Sequence, residues 1–225
     1  MRPLPYLAAG LLVLAQACTD ESANVDHDLP IIGEREVDAA TGDTLYHTVG
    51  DWAFYRQDSA LVTEDMLAGT PYVVDFFFTS CPTICPRVTS NMLRVHARFV
   101  DSLRTPLKLV SFTVDPRRDS VGHLRRYASN LGLEDAERWW FLTGDKLALY
   151  DIADDYFSVA LENPDAPGGF DHSGRILFVD EQGRVRAYAN GTDEAEVDHL
   201  MLDIEAYVKA RYPETFAGAD PDARG

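Results

Sequence analysis

An α/β fold, a mixed sheet flanked by helices with an added N-terminal β-hairpin, is the class this 225-residue sequence predicts. Three observations predict it. Residues 72–78, YVVDFFF, are an apolar and aromatic run interrupted only by Asp75, which reads as a buried strand. Val88, Met92, Val95 and Phe99 then recur at helical spacing, and residues 107–114, LKLVSFTV, form a second buried strand. Finally, residues 176–179 and 185–189 flank Asp180-Glu181-Gln182-Gly183 as an antiparallel hairpin, with a closing helix from about Glu194 to Arg211. Strand–helix–strand plus a terminal hairpin makes the sheet mixed.

Taken in order, residues 1–18 carry one Arg, a short apolar run from Leu7 to Ala15 and small residues before Cys18. A spanning helix takes about 20 apolar residues, so this run is too short to cross a bilayer. Its parts are those of a secretory signal peptide. Ending in Ala-Gln-Ala-Cys, it resembles a bacterial lipoprotein signal, which implies that Cys18 is diacylated and anchors the mature chain. A plain cleaved signal is the alternative. Either places the protein outside the cytoplasm, where a cysteine pair can be oxidised.

Residues 19–29 are polar and acidic and read as a tether; residues 30–211 form one domain, and 212–225 a flexible tail. Ala40-Thr41-Gly42-Asp43 is a turn cluster between extended stretches, hence the N-terminal hairpin. Residues 52–55 are a weak strand before a loop, and 64–67 a brief helical turn. Pro86 suits the first turn of a helix that runs to about Leu103. Asp119 or Ser120 caps a helix to about Leu131. Residues 139–142 are a short strand, Thr143 or Asp145 caps a helix through Ile152, and 156–161 are extended. Residues 163–169, NPDAPGG, are loop by composition.

The chain holds 37 acidic against 20 basic residues, a net charge of -17. That excludes nucleic acid as a partner and electrostatic attraction to an anionic membrane surface. It names no partner by itself, since an acidic surface is most often a solvated one.

Cys81 and Cys85 carry the chemistry. They sit where a central strand hands over to a helix, the place where thioredoxin-like folds present a dithiol. Backbone N–H groups at a helix N-terminus favour thiolate over thiol. Three readings stay open: a permanent disulfide, a redox pair and a metal site. A disulfide stabilises most when it closes a long loop, and this one is short. The usual redox spacing is Cys-x-x-Cys, one residue shorter than here. Two thiolates select a soft ion such as Cu(I) and need at least one further ligand. Among the histidines, His27 and His47 precede the core and read as solvated, while His96, His123 and His199 fall on helices. His172 lies in Gly-Gly-Phe-Asp-His-Ser, after a Gly-rich loop and before a strand, where a ligand can be delivered to a neighbouring strand.

The stretches DFFFTSCPTICP (75–86), FTVDPRRDS (112–120), WFLTGD (140–145) and GGFDHS (168–173) together resemble the Sco/SenC family. The likeness runs in order from about Leu29 to Tyr207. It implies a thioredoxin-like fold with an N-terminal hairpin, copper as the bound ion, and Cys81, Cys85 and His172 as its ligands. It implies a copper chaperone for cytochrome c oxidase, loaded by a copper donor protein and delivering to the oxidase's copper-bearing subunit from the periplasmic side of the membrane. A thiol–disulfide oxidoreductase that keeps the oxidase's copper-site cysteines reduced is the second reading, and a peroxide-reducing or redox-sensing enzyme a distant third. Cu(II) wants a fourth, harder ligand. Asp115 and Asp119, at the end of the neighbouring strand, are candidates, with turn and helix-capping roles as the alternative.

Overall fold

The computed structural model describes residues 29–216 apart from 134 and 159. The signal segment with Cys18, the tether up to residue 28 with His27, and residues 217–225 of the tail lie outside the described residues. The chain opens with the expected hairpin, β1 (Arg35–Val37) paired antiparallel with β2 (Thr44–Tyr46). Asp38 accepts a hydrogen bond from Ala40 N at 2.7 Å and nucleates the turn. β3 (Ala53–Arg56) follows, and β4 (Leu61–Thr63) stands where the sequence predicts loop. Its three residues are too few to display an alternation; pairing with β3 creates the strand.

β5 (Tyr72–Phe77) is buried along its whole length and leads to α1 (Cys85–His96), which continues as a wider π turn over Ala97–Ser102. β6 (Lys108–Thr113), α2 (Val121–Asn130), β7 (Trp139–Thr143) and α3 (Lys146–Asp155) complete the parallel part. A small ribbon, β8 (Ala160–Glu162) with β9 (Phe170–His172), precedes the hairpin β10 (Arg175–Val179) and β11 (Val185–Asn190). α4 (Glu194–Arg211) and a single turn, α5 (Pro213–Phe216), close the chain; the turn lies in what the sequence predicts as tail.

The main sheet has seven strands in the order β11-β10-β5-β6-β7-β3-β4. β5, β6 and β7 are parallel and every other pairing is antiparallel, so the sheet is mixed as predicted. β5 is central because α-helical crossovers cover it, which is why its sequence is apolar on both faces. Successive residues of β5 serve opposite layers. Phe76 stacks on Phe112 at 5.3 Å and meets Tyr156, whereas Phe77 meets Tyr127 and Phe141.

Asp75, the polar interruption, is opposite Ser111 in register and accepts its hydroxyl at 2.5 Å. Burial nonetheless pushes its carboxyl up to about 7, the Ser111 hydrogen bond only partly opposing.

Three local expectations change. Ser120 occupies the N-cap of α2 without a side-chain hydrogen bond, and Asp119 turns inward instead of capping. Asp145, not Thr143, caps α3 by accepting from Leu147 N and Ala148 N. Residues 156–161 are not one extended run, because α3 reaches Asp155 and Phe157 takes a left-handed φ of 52° before β8 begins.

Candidate metal centre

The two cysteines lie beyond the carboxyl end of β5, the end of an open α/β sheet where ligands gather. Cys85 is the first residue of α1, followed by Pro86 in the first turn. α1 has no side-chain oxygen capping its N-terminus. A sulfur takes that place: Cys85 N donates to Cys81 Sγ at 3.4 Å. The Cys-x-x-x-Cys spacing is therefore that of one helical turn folded back on itself. Both cysteines are free and buried.

His172 ends β9, whose partner strand β8 meets it through Ala160. Its Nε2 lies 3.7 Å from Cys81 Sγ and 3.6 Å from Cys85 Sγ. The three ligand atoms lie within 4.8 Å of one another, and among the described residues no other group of His, Cys, Asp and Glu converges in this way. Phe78 walls the site, its ring edge-on to His172 at 5.4 Å and tilted against Phe170 at 5.1 Å. The ribbon approaches closely because residue 168 is glycine. With φ +82°, a Cβ there would stand 2.8 Å from the Phe78 ring and 3.1 Å from Pro82 Cδ.

The two sulfurs are unequal. Burial pushes the Cys81 thiol up, but donation from Cys85 and from the backbone of Thr83 and Cys85 overcomes it, and Cys81 falls below the ordinary thiol value. Burial, and then the adjoining Cys81 sulfur, raise Cys85 well above it. Burial lowers the His172 pKa, with the Phe76 backbone and Asp171 opposing, so the imidazole is neutral and its nitrogen can act as a ligand. Among the described residues its buried Nδ1 has no hydrogen-bond partner of ordinary geometry. Two sulfurs, one of them with a lowered pKa, and a neutral imidazole converging in a partly buried pocket suit a soft cation.

The other candidates are elsewhere. Asp115 accepts from Arg118 Nη1 at 3.0 Å, and Asp119 accepts from Thr79 and Thr113, so neither carboxylate belongs to the three-membered group. His47 bonds the Asp155 carbonyl, His96 pairs with Asp101 and stacks on Trp139, and His199 is exposed. His123 contacts Thr79 Oγ1 at 3.1 Å. Sequence reasoning missed Thr79, Phe78 and Gly168 as parts of the site. The closeness of Gly168 to Thr-Ser-Cys-Pro is a tertiary fact, although its glycine pair was visible.

The family pattern described as SCO1/SenC matches residues 40–209. The chain belongs to the SCO1/SenC family. It is 29% identical over 203 residues to a putative copper-binding protein of Stutzerimonas stutzeri, covering 84% of this chain and 89% of that one. Among solved structures it resembles a SCO1/SenC family lipoprotein of Bacillus anthracis, at 25% identity and a TM-score of 0.64, over 70% of this chain and 93% of the other. It also resembles BsSco, described as a Sco-family cytochrome c oxidase assembly protein with a disulfide switch, at 27% identity and a TM-score of 0.62, over 71% and 92%. The fold is accordingly thioredoxin-like, with the N-terminal hairpin as an addition. Among the described residues no helix is long and apolar enough to cross a membrane.

Proposed function

We propose that this protein binds one copper ion through Cys81, Cys85 and His172 and delivers it to the dinuclear copper site of cytochrome c oxidase during assembly. The observation that carries this reading is the convergence of two sulfurs and one imidazole nitrogen within 4.8 Å. Cu(I) is satisfied by three such donors, and the closeness of these three side chains supports that reading. The copper-binding relative and the oxidase-assembly neighbour support the same reading. His172 sits on a two-stranded ribbon outside the main sheet, a suitable place for a ligand that must let its cargo go. Cys18 and the lipoprotein neighbour support a lipid-anchored protein facing the periplasm.

The inequality of the sulfurs favours a second reading. Cys81, as thiolate, would attack a disulfide of the oxidase's copper-site cysteines, releasing one thiolate; Cys85 would then attack the mixed disulfide and release the other. Two electrons pass to the partner, Cys81 and Cys85 become a disulfide, and a thiol reductant must restore them.

Copper stoichiometry and the thiolate-to-Cu(II) charge-transfer band of reduced wild type and His172→Ala separate the two. One copper per chain in wild type, with a weakened or lost band in the variant, is the expected result. Equal binding by the variant, or no copper in a wild type that reduces a model disulfide, gives first place to thiol exchange.

A further inference from the structure

Asp119 is completely buried, yet among the described residues no Lys or Arg forms an ion pair with it. Its Oδ2 accepts from Thr79 N at 3.1 Å and from Thr113 Oγ1 at 2.5 Å, and its Oδ1 accepts from Thr79 Oγ1 at 2.5 Å. The single hydroxyl proton of Thr79 goes to Asp119, so His123 Nε2, 3.1 Å away, must be the donor to Thr79 Oγ1. A chain of donors thus runs from α2 through Thr79 into one carboxylate held at the end of β6.

Thr79 lies in the turn two residues past the end of β5 and two residues before Cys81. The other two donors of the metal centre are carried by regular elements. Cys85 belongs to α1, which is anchored by the buried Val88, Met92 and Val95, and His172 belongs to β9. Cys81 belongs to neither a helix nor a strand. A single carboxyl group accepting both the N–H and the hydroxyl of one residue fixes that residue's backbone and rotamer together.

We propose that Asp119 is a positioning residue for Cys81. Through Thr79 it sets where the chain leaves β5, and so holds the Cys81 sulfur against Cys85 N and His172. It acts as an acceptor that orders the loop and not as a ligand. The inference rests on the reading of the centre as a copper site, but its geometric core concerns Cys81 alone.

Two measurements test it: Cu(I) affinity by competition with a chelator, and the alkylation rate of Cys81 in the metal-free reduced protein, with the modified site located by mass. Asp119→Asn, Thr79→Val and Thr113→Val are compared with wild type, with thermal midpoints as the check on folding. Thr113→Val removes a donor from the same carboxylate, and the acceptor of Asp115 N, while leaving both Thr79 bonds to Asp119 in place, so a purely structural role makes it equal to Thr79→Val. The expected result is copper affinity about 10–100-fold weaker in Asp119→Asn and Thr79→Val, and alkylation of Cys81 about tenfold slower as its sulfur leaves its N–H donors. Thr113→Val is expected to stay near wild type in both. Wild-type behaviour of Thr79→Val in both readouts, or equal losses in Thr113→Val, overturns the proposal. If Asp119→Asn does not fold, Thr79→Val carries the test. If wild type itself holds no copper, the copper reading fails, and the alkylation rates still decide the role of Asp119.

Discussion

Replacing Gly168 by Ala adds one methyl group between the His172 ribbon and the cysteine loop. At φ +82° an L-residue is strained, and the new Cβ would stand 2.8 Å from Phe78 Cε2 and Cζ. Carbon atoms are at ease near 3.5–4.0 Å, so ribbon and loop must part by about 1 Å. Phe78 is buried and cannot swing away freely, and Pro82 Cδ blocks the adjoining direction at 3.1 Å. His172 is four residues on and moves with the ribbon.

Gly169→Ala is the control, because it has a comparable φ of +90° with nothing within 4 Å of its Cβ position. Both substitutions carry the left-handed penalty of about 1–2 kcal/mol. Only Gly168→Ala adds an overpacking cost, on the order of 1–3 kcal/mol. Cu(I) affinity is therefore expected to fall about 10–100-fold in Gly168→Ala and to stay near wild type in Gly169→Ala. Chelator competition, with thermal unfolding alongside, measures both. Equal copper affinity in the two variants would refute the claim that the closeness of residue 168 to Phe78 sets the position of His172.

Two further predictions concern protons. With Cys85 above the ordinary thiol value, copper binding at neutral pH displaces at least its proton. Apparent Cu(I) affinity should then rise at least about tenfold per pH unit between pH 7 and 8. His172, lowered from 6.5, stays a neutral ligand to below that pH, and affinity is lost more steeply once it is protonated. A pH-independent affinity would contradict the unequal thiols. Asp75 is the other case: its folded pKa of about 7 lies above its ordinary 3.8, so between these values the folded state holds a proton that the unfolded state has released. Stability should therefore fall as pH rises through that window and level off above it. Asp75→Asn, which keeps an oxygen to accept the Ser111 hydroxyl, should flatten that fall in thermal midpoint, and an unchanged slope would reject the buried neutral carboxyl.

Much of this was legible along the chain, and the reasons differ by element. The apolar run at residues 72–78 can only be a strand covered on both faces, and α4 matches its predicted limits, Glu194 to Arg211, because an acidic first turn and a basic last turn mark its ends. Cys81 and Cys85 were readable as a site because strand, loop and helix start are local features. β4 was not, since a strand of three residues exists through its partner β3. Phe157 broke an expected extended run with a backbone angle that nothing in its side chain announces.

By itself, the sequence determined the class of fold, the place of the dithiol at the carboxyl end of the central strand, and the shortlist of histidines. All of these follow from periodicity, turn chemistry and spacing, which act over a few residues. The family resemblance had singled out His172, and tertiary structure alone showed how it reaches the dithiol. His172 is 91 positions from Cys81 and arrives on a ribbon whose approach depends on a glycine. Asp119, a candidate ligand by its position in the chain, is 40 positions from Thr79 and was claimed by it instead. Such separations are closed by packing, and a carboxylate's role depends on which donors the packing turns toward it.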